Sequence, residues 1–294
     1  MDTMIVNKHR RVKKSLSEVV CLTVFFFIIL IWCLSYVYTF FWTVTNALKT
    51  VPEFYDNTYN LPAKPVWQNF PDAFTKITLK GTPIYEMAWN TIWMAFLGSF
   101  VNIASSTLVA YSISKFRFPG RNFVYALAIF VQVVPIIGSG SASYKLHANW
   151  GLLNNPYLIW MGWANGFDFA FLVLYGYFNS VSDFYSEAAE IDGASNLRIL
   201  FQVNLPQAMP AILSLTLLQL VGMWNNYNIS MIYMKAYPSL AYGLYEFQQQ
   251  GNFAGTGDPV YLAAVLMSML PVLTVYACFQ KTIMNNVSVG GLKG

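Results

Sequence analysis

Charged side chains are concentrated in one short stretch of an otherwise apolar chain, SEAAEIDGASNLRILFQVNLPQAMP, which covers residues 186–210. Its first thirteen residues include Glu187, Glu190, Asp192 and Arg198. Carboxylates in such a segment can form charge-assisted hydrogen bonds with basic residues of another protein. A polar segment between two apolar helices therefore indicates an interaction surface and not part of a buried core.

The same stretch carries the residues that begin and turn a helical hairpin. Asp183 or Ser182 can cap a first helix that runs through EAAEID. Gly193 follows where a helix commonly ends in a left-handed residue, a conformation that costs glycine little. A second short helix, Asn196–Asn204, is expected to end at Pro206. The sequence thus predicts a hairpin over residues 182–206.

Small residues give the first helix of this hairpin a face that another backbone could approach closely, at Ala188 and Ala189. The acids Glu187, Glu190 and Asp192 surround that face. We interpret it as a docking surface for a partner protein and not as an active site. The alternative is an ordinary amphipathic linker that lies at a membrane surface.

A second set of candidates is polar or aromatic and lies within apolar segments. Polar residues are costly in a membrane and usually face the interior of a helix bundle or a water-filled path. Asp168 falls near the middle of such a segment, three residues after Asn165, so both could share one helix face. Hydrogen bonding between helices is the alternative role. The candidates for contact with a solute are Asn165, Asp168, Gln219, Trp224 and Asn225, with Trp163 beside them.

The elements that must position these residues are membrane-spanning helices. Hydrophobic residues make up 56% of the 294 residues and charged residues only 10%, against about 25% in soluble domains. Uncharged runs reach the length of about 20 residues that a span needs. We expect an all-α membrane protein with six transmembrane helices, in Val19–Leu48, Met87–Ser114, Asn122–Tyr144, Tyr157–Ser180, Ile199–Met234 (beginning near Pro210) and Pro259–Gln280.

The basic residues indicate the orientation of these helices. Six spans place both termini on one side, and 11 of the 17 basic residues then fall on that side. Because cytoplasmic loops carry the excess of Lys and Arg, both termini are expected to be cytoplasmic. The predicted parts are a cytoplasmic segment 1–18, a membrane domain 19–284 that includes the hairpin 182–206, and a cytoplasmic tail 285–294. The basic residues do not form one folded face, which argues against a nucleic-acid partner.

Several kinds of chemistry are excluded by the residues present. The chain has no G-x-x-x-x-G-K-[ST] loop that could hold ATP phosphates. The three cysteines lie in apolar segments, which suggests packing and neither disulfides nor metal pairs. The two histidines are far apart in the sequence, so we expect no metal site and no cofactor.

The spacing within the hairpin resembles the signature loop of binding-protein-dependent ABC importer permeases. That pattern is Glu187-Ala188-Ala189, then Gly193, then Val203-x-Leu205-Pro206, with Val203 where Ile is usual. Further segments resemble the smaller permease subunit of maltose-type carbohydrate importers: NTIWMAF at 90–96, AYSISKFRFPGR at 110–121, WNNYN at 224–228 and GGLKG at 290–294. Asn226 stands where many relatives have an acid.

The resemblance implies a type I ABC importer permease fold in a bacterial cytoplasmic membrane. It implies a second homologous permease subunit, two cytoplasmic ATP-binding subunits, an extracytoplasmic solute-binding protein and a carbohydrate substrate. The chain itself would not be an enzyme, since its ATPase partners would hydrolyse ATP. The polar and aromatic candidates in the spans would then meet sugar hydroxyls and rings. The residues implied to couple to the ATPase are Glu187, Ala188, Ala189, Asp192, Gly193, Leu205 and Pro206.

Two other functions remain open from the residues alone. A secondary transporter would need two inverted halves and ion-coupling charges within its spans. Asp168 is the one such charge, and the sequence has no visible internal repeat. A membrane subunit for assembly or signalling would also accommodate the hairpin.

Overall fold

The computed structural model describes residues 15–134, 138–249 and 257–287. The predicted cytoplasmic segment as far as residue 14 and the tail from residue 288 lie outside the described residues. The first half of the chain forms α1 Leu16–Ala47, α2 Val51–Asp56, α3 Asn69–Lys76, β1 Thr78–Leu79, β2 Thr82–Pro83, α4 Ile84–Lys115, α5 Arg121–Val133 and α6 Gly140–Asn149.

The second half alternates regular helices with tighter or wider turns. Its regular helices are α7 Phe169–Ser180, α8 Phe184–Ile191, α9 Asn196–Ile199, α10 Leu205–Trp224, α11 Leu240–Gln249 and α12 Gly257–Val287. A 3₁₀ turn covers Ile159–Trp163, and π turns cover Leu200–Asn204 and Ile229–Tyr233. We call the end of the molecule with Lys115 and residues 182–206 the hairpin face, and the end with residues 48–83 the loop face.

Within the described ranges, four helices are long and apolar enough to cross a membrane: Leu16–Ala47, Ile84–Lys115, Asn196–Trp224 and Asp258–Gln280. The third and fourth predicted spans correspond to shorter apolar helices, α5 and α7. A continuous helix over Tyr157–Ser180 was expected and is wrong, because the chain leaves helical geometry between Trp163 and Phe169. The number of six spans stays a prediction.

The start expected for the fifth span near Pro210 is also wrong. The helix runs without a gap from Asn196 to Trp224, and Pro206 does not end it. The π turn just before Pro206 explains this, since the Leu205 amide donates to the Leu200 carbonyl five residues back. A proline inside a helix removes one backbone hydrogen bond. Here that loss falls where the π turn passes into α10, because Pro206 lies in the first turn of the regular helix.

Helix α4 is the centre of the bundle and packs against α7 and α10. Small residues on its buried face allow close approach of these helices. At Gly98, a Cβ atom would lie 2.8 Å from the Met223 side chain of α10. The α7 residues Phe171, Leu174 and Phe178 are fully buried in a cluster that also contains residues of α4 and α10. The position of α4 therefore determines where the polar residues of its neighbours can lie.

The loop face is closed by buried polar side chains at the end of α1. The Asn69 amide donates to the carbonyls of Ala47 and Lys49, both at 2.8 Å. The Lys49 ammonium is fully buried and donates to the Asn57 carbonyl at 2.8 Å. Burial lowers the pKa of Lys49, and the Glu53 carboxylate acts in the opposite direction. These bonds fasten residues 48–83 to the end of the first span.

The loop face also holds a two-stranded antiparallel ladder, in which Thr78 pairs with Pro83 and Leu79 with Thr82. The expectation of an all-α protein is corrected by this small element. Lys80 and Gly81 have positive φ angles of 51° and 85°, as a tight hairpin turn requires. The ladder leads directly into α4, so it sets the point at which the central helix begins.

The loop face generates the first testable prediction. Asn69→Ala should lower the free energy of unfolding by about 1–3 kcal/mol, because two buried carbonyls lose their donor. Asn60→Ala is the matched control, since Asn60 is exposed in the same segment. Thermal unfolding of the purified protein in detergent measures both. Equal stabilities of the two variants would contradict the role assigned to Asn69.

Candidate functional site

The hairpin at residues 182–206 has the turn that the sequence predicts. Gly193 has φ 81° and follows the end of α8. The Gly193 amide donates to the Glu190 carbonyl and the Ala194 amide to the Ala189 carbonyl, each at 2.9 Å. This pair of bonds is the Schellman arrangement that ends many helices. It satisfies carbonyls at the end of α8 and sharply reverses the chain before α9.

Most of the residues predicted to dock a partner are on the surface of this hairpin. Glu187, Ala188 and Asp192 are exposed, and Ala189 is half-buried. At the start of α10, Leu205 is half-buried and Pro206 is exposed. Large apolar side chains are exposed beside the acids, and Ile191 reaches 86% exposure; the others are Phe184, Tyr185 and Leu197. An exposed apolar patch rimmed by polar groups is typical of a protein interaction site.

One residue at the base of the hairpin was missed by the sequence analysis. Asn204 is only 2% exposed, and its amide donates to the Ser186 hydroxyl at 3.2 Å and to the Ile199 carbonyl at 3.5 Å. It thereby joins the first arm of the hairpin to the second. The available signal was a polar residue that interrupts the apolar run directly before Leu205 and Pro206.

The second candidate site surrounds Asp168. This residue was expected near the middle of a helix, but it lies just before the start of one. Asp168 caps the start of α7, where its Oδ1 accepts from the Phe171 amide at 3.0 Å. The buried Ser106 hydroxyl of α4 donates to the same oxygen at 2.8 Å and to the Asn165 carbonyl at 3.0 Å. Asn165 and Asp168 are therefore brought together by Ser106 in a non-helical segment and do not share a helix face.

A second interrupted helix reaches the same point. The Gln132 amide, next to the last residue of α5, donates to the Asp168 carbonyl at 3.0 Å. Helix α5 has 13 residues and α7 has 12, so each extends about 18–20 Å from its hairpin-face end. Each helix is thus shorter than the thickness of about 30 Å of a hydrocarbon core. We call Ser106, Gln132, Asn165 and Asp168 the polar junction.

The polar junction has the features that a membrane requires of non-helical backbone. Such backbone is tolerated only where protein buries it or where it lines a water-filled cavity. Ser106 is fully buried, Asp168 is half-buried, and Asn165 is exposed. One side of the junction is therefore held by α4, and Asn165 on the other side is exposed. Gln132 was missed because it lies in an apolar run whose interruption the sequence did not indicate.

The other predicted solute contacts lie elsewhere in the bundle, and their role in contacting a solute stays a prediction. Trp163 is buried and its ring packs on Trp93, with ring centres 6.2 Å apart. The Trp224 indole donates to the Ser268 carbonyl of α12 at 3.2 Å. Asn225 is exposed and donates to the Val221 carbonyl, while Gln219 is half-buried on α10. Of these residues, Trp163 is bonded to the polar junction through its backbone, since its carbonyl accepts from the Asn165 amide at 2.8 Å.

No group of three metal-ligating side chains comes together among the residues that the structure describes. The polar junction has one carboxylate and two amides at its opening, which can accept and donate hydrogen bonds to a neutral polar solute. The hairpin has charged and apolar side chains exposed on its surface. The described structure thus has two separate polar surfaces, one at the polar junction and one at the hairpin.

A family model described as a binding-protein-dependent transport system inner membrane component matches residues 102–288. The diacetylchitobiose uptake system permease protein NgcG of Streptomyces coelicolor is 26% identical over 278 residues, which cover 90% of this chain and 86% of that protein. The maltose/maltodextrin transport system permease protein MalG of Escherichia coli K12 is 27% identical over 231 residues, covering 74% and 76%.

A solved structure shares the fold over most of the chain. It is a chain of a bacterial ABC transporter involved in the import of the acidic polysaccharide alginate. The two chains superpose with a TM-score of 0.74 at 24% sequence identity, over 91% of this chain and 98% of the other. The interrupted helices and the hairpin thus lie in a fold already known from a membrane transporter.

The polar junction generates the second prediction. Ser106→Ala should destabilise the protein by about 1–3 kcal/mol, because the Asn165 carbonyl and the Asp168 carboxylate lose a buried donor. Ser112→Ala is the matched control, since Ser112 is exposed on the same helix and bonds only within α4. Thermal unfolding in detergent compares the two. A loss as large for Ser112→Ala would show that the junction has no special role in stability.

Proposed function

The chain belongs to the family of inner membrane components of binding-protein-dependent transport systems, and from this premise we propose that it forms half of the pathway of an ATP-driven carbohydrate importer. The names of its relatives support a sugar substrate, since NgcG and MalG are named for the uptake of diacetylchitobiose and of maltose or maltodextrin. The observation that carries the proposal is the exposed hairpin with the signature spacing from Glu187 to Pro206.

The hairpin would receive the movement of a separate ATPase. The chain has no phosphate-binding loop of its own, so the energy of ATP must arrive through a partner. In this proposal the hairpin face is cytoplasmic, in agreement with the basic residues at that end. The acids Glu187 and Asp192 and the exposed Ile191 would fit a groove that has basic and apolar residues.

A continuous helix would carry that movement into the membrane. The second arm of the hairpin is α9, which continues through the π turn into α10. The 29 residues from Asn196 to Trp224 span about 44 Å. A tilt imposed at the hairpin therefore displaces the far end of α10, which packs against α4 and α12. Asn204 supports this transmission, because it prevents the two arms from separating.

The polar junction would contact the sugar on its path. Asn165 and Asp168 offer an amide and a carboxylate to hydroxyl groups, at the depth where two helices are interrupted. Interrupted helices mark solute sites in several transporter folds. A second permease subunit of the same family would form the opposite wall, two ATPases would bind at the hairpins, and a solute-binding protein would deliver the sugar to the loop face.

The hairpin generates the third prediction. Gly193→Val places a β-branched residue at φ 81°, which costs roughly 1–2 kcal/mol of backbone strain. A Cβ atom there has no neighbour within 4 Å, so the expected effect comes from backbone strain and not from a clash of the Cβ atom. We expect the variant to reach the membrane, to retain less ATPase in pull-down and to transport less sugar.

Gly120→Val is the matched control for this experiment. Gly120 has φ 86° and equally open surroundings, but it lies in the turn between α4 and α5. Equal loss of ATPase binding in the two variants would mean that the effect is general strain. Wild-type binding and transport in Gly193→Val would remove the hairpin from the mechanism.

The polar junction generates a fourth prediction. Asn165→Ala should raise the KM of uptake about 5- to 10-fold, as loss of one hydrogen bond worth roughly 1 kcal/mol implies, and should leave ATPase binding unchanged. Asn179→Ala, at an exposed position of α7, is the control. Measured sugar uptake by the reconstituted complex gives both values. An unchanged KM for Asn165→Ala would exclude this residue from the sugar path.

A further inference from the structure

The last residue of α4, Lys115, reaches across to the first arm of the hairpin. Its ammonium donates to the Val181 carbonyl at 2.8 Å and to Asp183 Oδ1 at 2.6 Å. The Lys115 side chain is 10% exposed, whereas that of Asp183 is 67% exposed. A lysine side chain so deeply covered is held in one conformation, and its two partners lie on either side of the residue where the hairpin begins.

Asp183 is oriented toward Lys115 instead of toward its own helix. It occupies the residue before α8, but its side chain makes no capping bond, in contrast to the sequence-based expectation. A cap by Asp stabilises the start of a helix, so the structure has given up a local bond for one between elements. The Lys115 ammonium holds the pKa of the Asp183 carboxyl below its usual range, with a smaller effect of Arg117.

The contact differs from the other ion pair in the described part of the chain. That pair, Lys76 with Asp72 at 2.7 Å, lies within α3 and joins residues four apart. The Lys115–Asp183 pair joins residues 68 apart and connects the central helix to the hairpin. A positive charge near the C-terminal end of α4 interacts favourably with the helix dipole in whichever direction the side chain points. The dipole therefore does not explain why the Lys115 side chain points toward the hairpin.

Helix α4 also carries Ser106 of the polar junction, nine residues before Lys115, or about 14 Å along the axis. One rigid helix therefore holds both the interrupted segment at Asp168 and the first arm of the hairpin. The second arm is covalently continuous with α10, but the first arm follows α7 through the short segment Val181–Asp183. Without Lys115, this arm could tilt about that segment while α4 stayed in place.

We propose that Lys115 is a positioning residue that locks the first arm of the hairpin to α4, so that movement of the ATPase reaches the polar junction. This inference rests on the proposed function of the hairpin. Lys115 contacts neither the sugar nor the ATPase; it acts through Val181 and Asp183. Its loss uncouples hydrolysis from transport, because the hairpin moves with the ATPase while α4 no longer follows completely.

The test uses the whole complex with its partner permease, ATPase and binding protein in liposomes, and measures ATP hydrolysed per sugar transported. Lys115→Met keeps the apolar stem and removes the charge. We expect this ratio to rise about fivefold, the effect of a coupling free energy at the low end of the usual range. The ATPase should remain bound as in the wild type. Lys115→Arg, which keeps the donor, should restore most of the coupling.

Lys76→Met is the matched control, because it removes an ion pair of similar length at the loop face. Its ratio should equal that of the wild type. Asp183→Asn is a second variant, and it should fold normally because this side chain is exposed. It should also raise the ratio of ATP hydrolysed to sugar transported, which keeps the test decisive if Lys115→Met fails to reach the membrane.

The inference is overturned if both Lys115→Met and Asp183→Asn retain the wild-type ratio, or if Lys76→Met raises the ratio equally. Loss of ATPase binding in Lys115→Met without a change of the ratio in the remaining complexes would also overturn it, because Lys115 would then serve docking. A wild-type complex that transports no sugar would instead refute the proposed function, and so the two failures are distinguishable.

Discussion

A membrane interior allows no unsatisfied backbone, and this constraint accounts for the arrangement of the centre of the molecule. The end of α5 and the start of α7 meet at Asp168, and the polar groups exposed there by the missing helical turns need partners. Ser106 of α4 and Gln132 of α5 supply these partners by bonding to the segment that ends at Asp168. The interruption is thus stable only while α4 keeps its position. The positions of the elements that pack on this central helix therefore depend on it.

The hairpin is connected to this centre in two mechanically different ways. Its second arm continues as one helix into α10, with the π turn at Leu200–Asn204 accommodating Pro206. Its first arm is attached by side chains, through Asn204 to the second arm and through Lys115 to α4. Wide helical turns often mark functional sites, and here the turn lies where an applied force would enter the membrane. The two attachments make the hairpin a rigid extension of the bundle.

The sequence predicted the features that depend on local chemistry. Gly193 adopts the left-handed turn expected of it, and four of the apolar runs are long helices. Hydropathy did not reveal the interruptions at α5 and α7. The backbone groups freed there are hydrogen-bonded by polar side chains of other segments, so the interrupted segments remain as apolar in composition as continuous helices. Asp168 was expected in mid-helix for the same reason. The roles of Asn204, Gln132 and Lys115 depend on partners distant in sequence, which no local pattern could identify.

The most direct test of the account is the source of energy for transport. Liposomes containing the complex would be loaded with ATP or with a non-hydrolysable analogue, and ionophores would collapse every ion gradient. Uptake of the sugar retained by the binding protein would then be measured. The account predicts uptake that requires ATP hydrolysis and persists with the ionophores. Uptake that continues with the analogue and is abolished by the ionophores would contradict it, because the chain would then be a gradient-driven transporter.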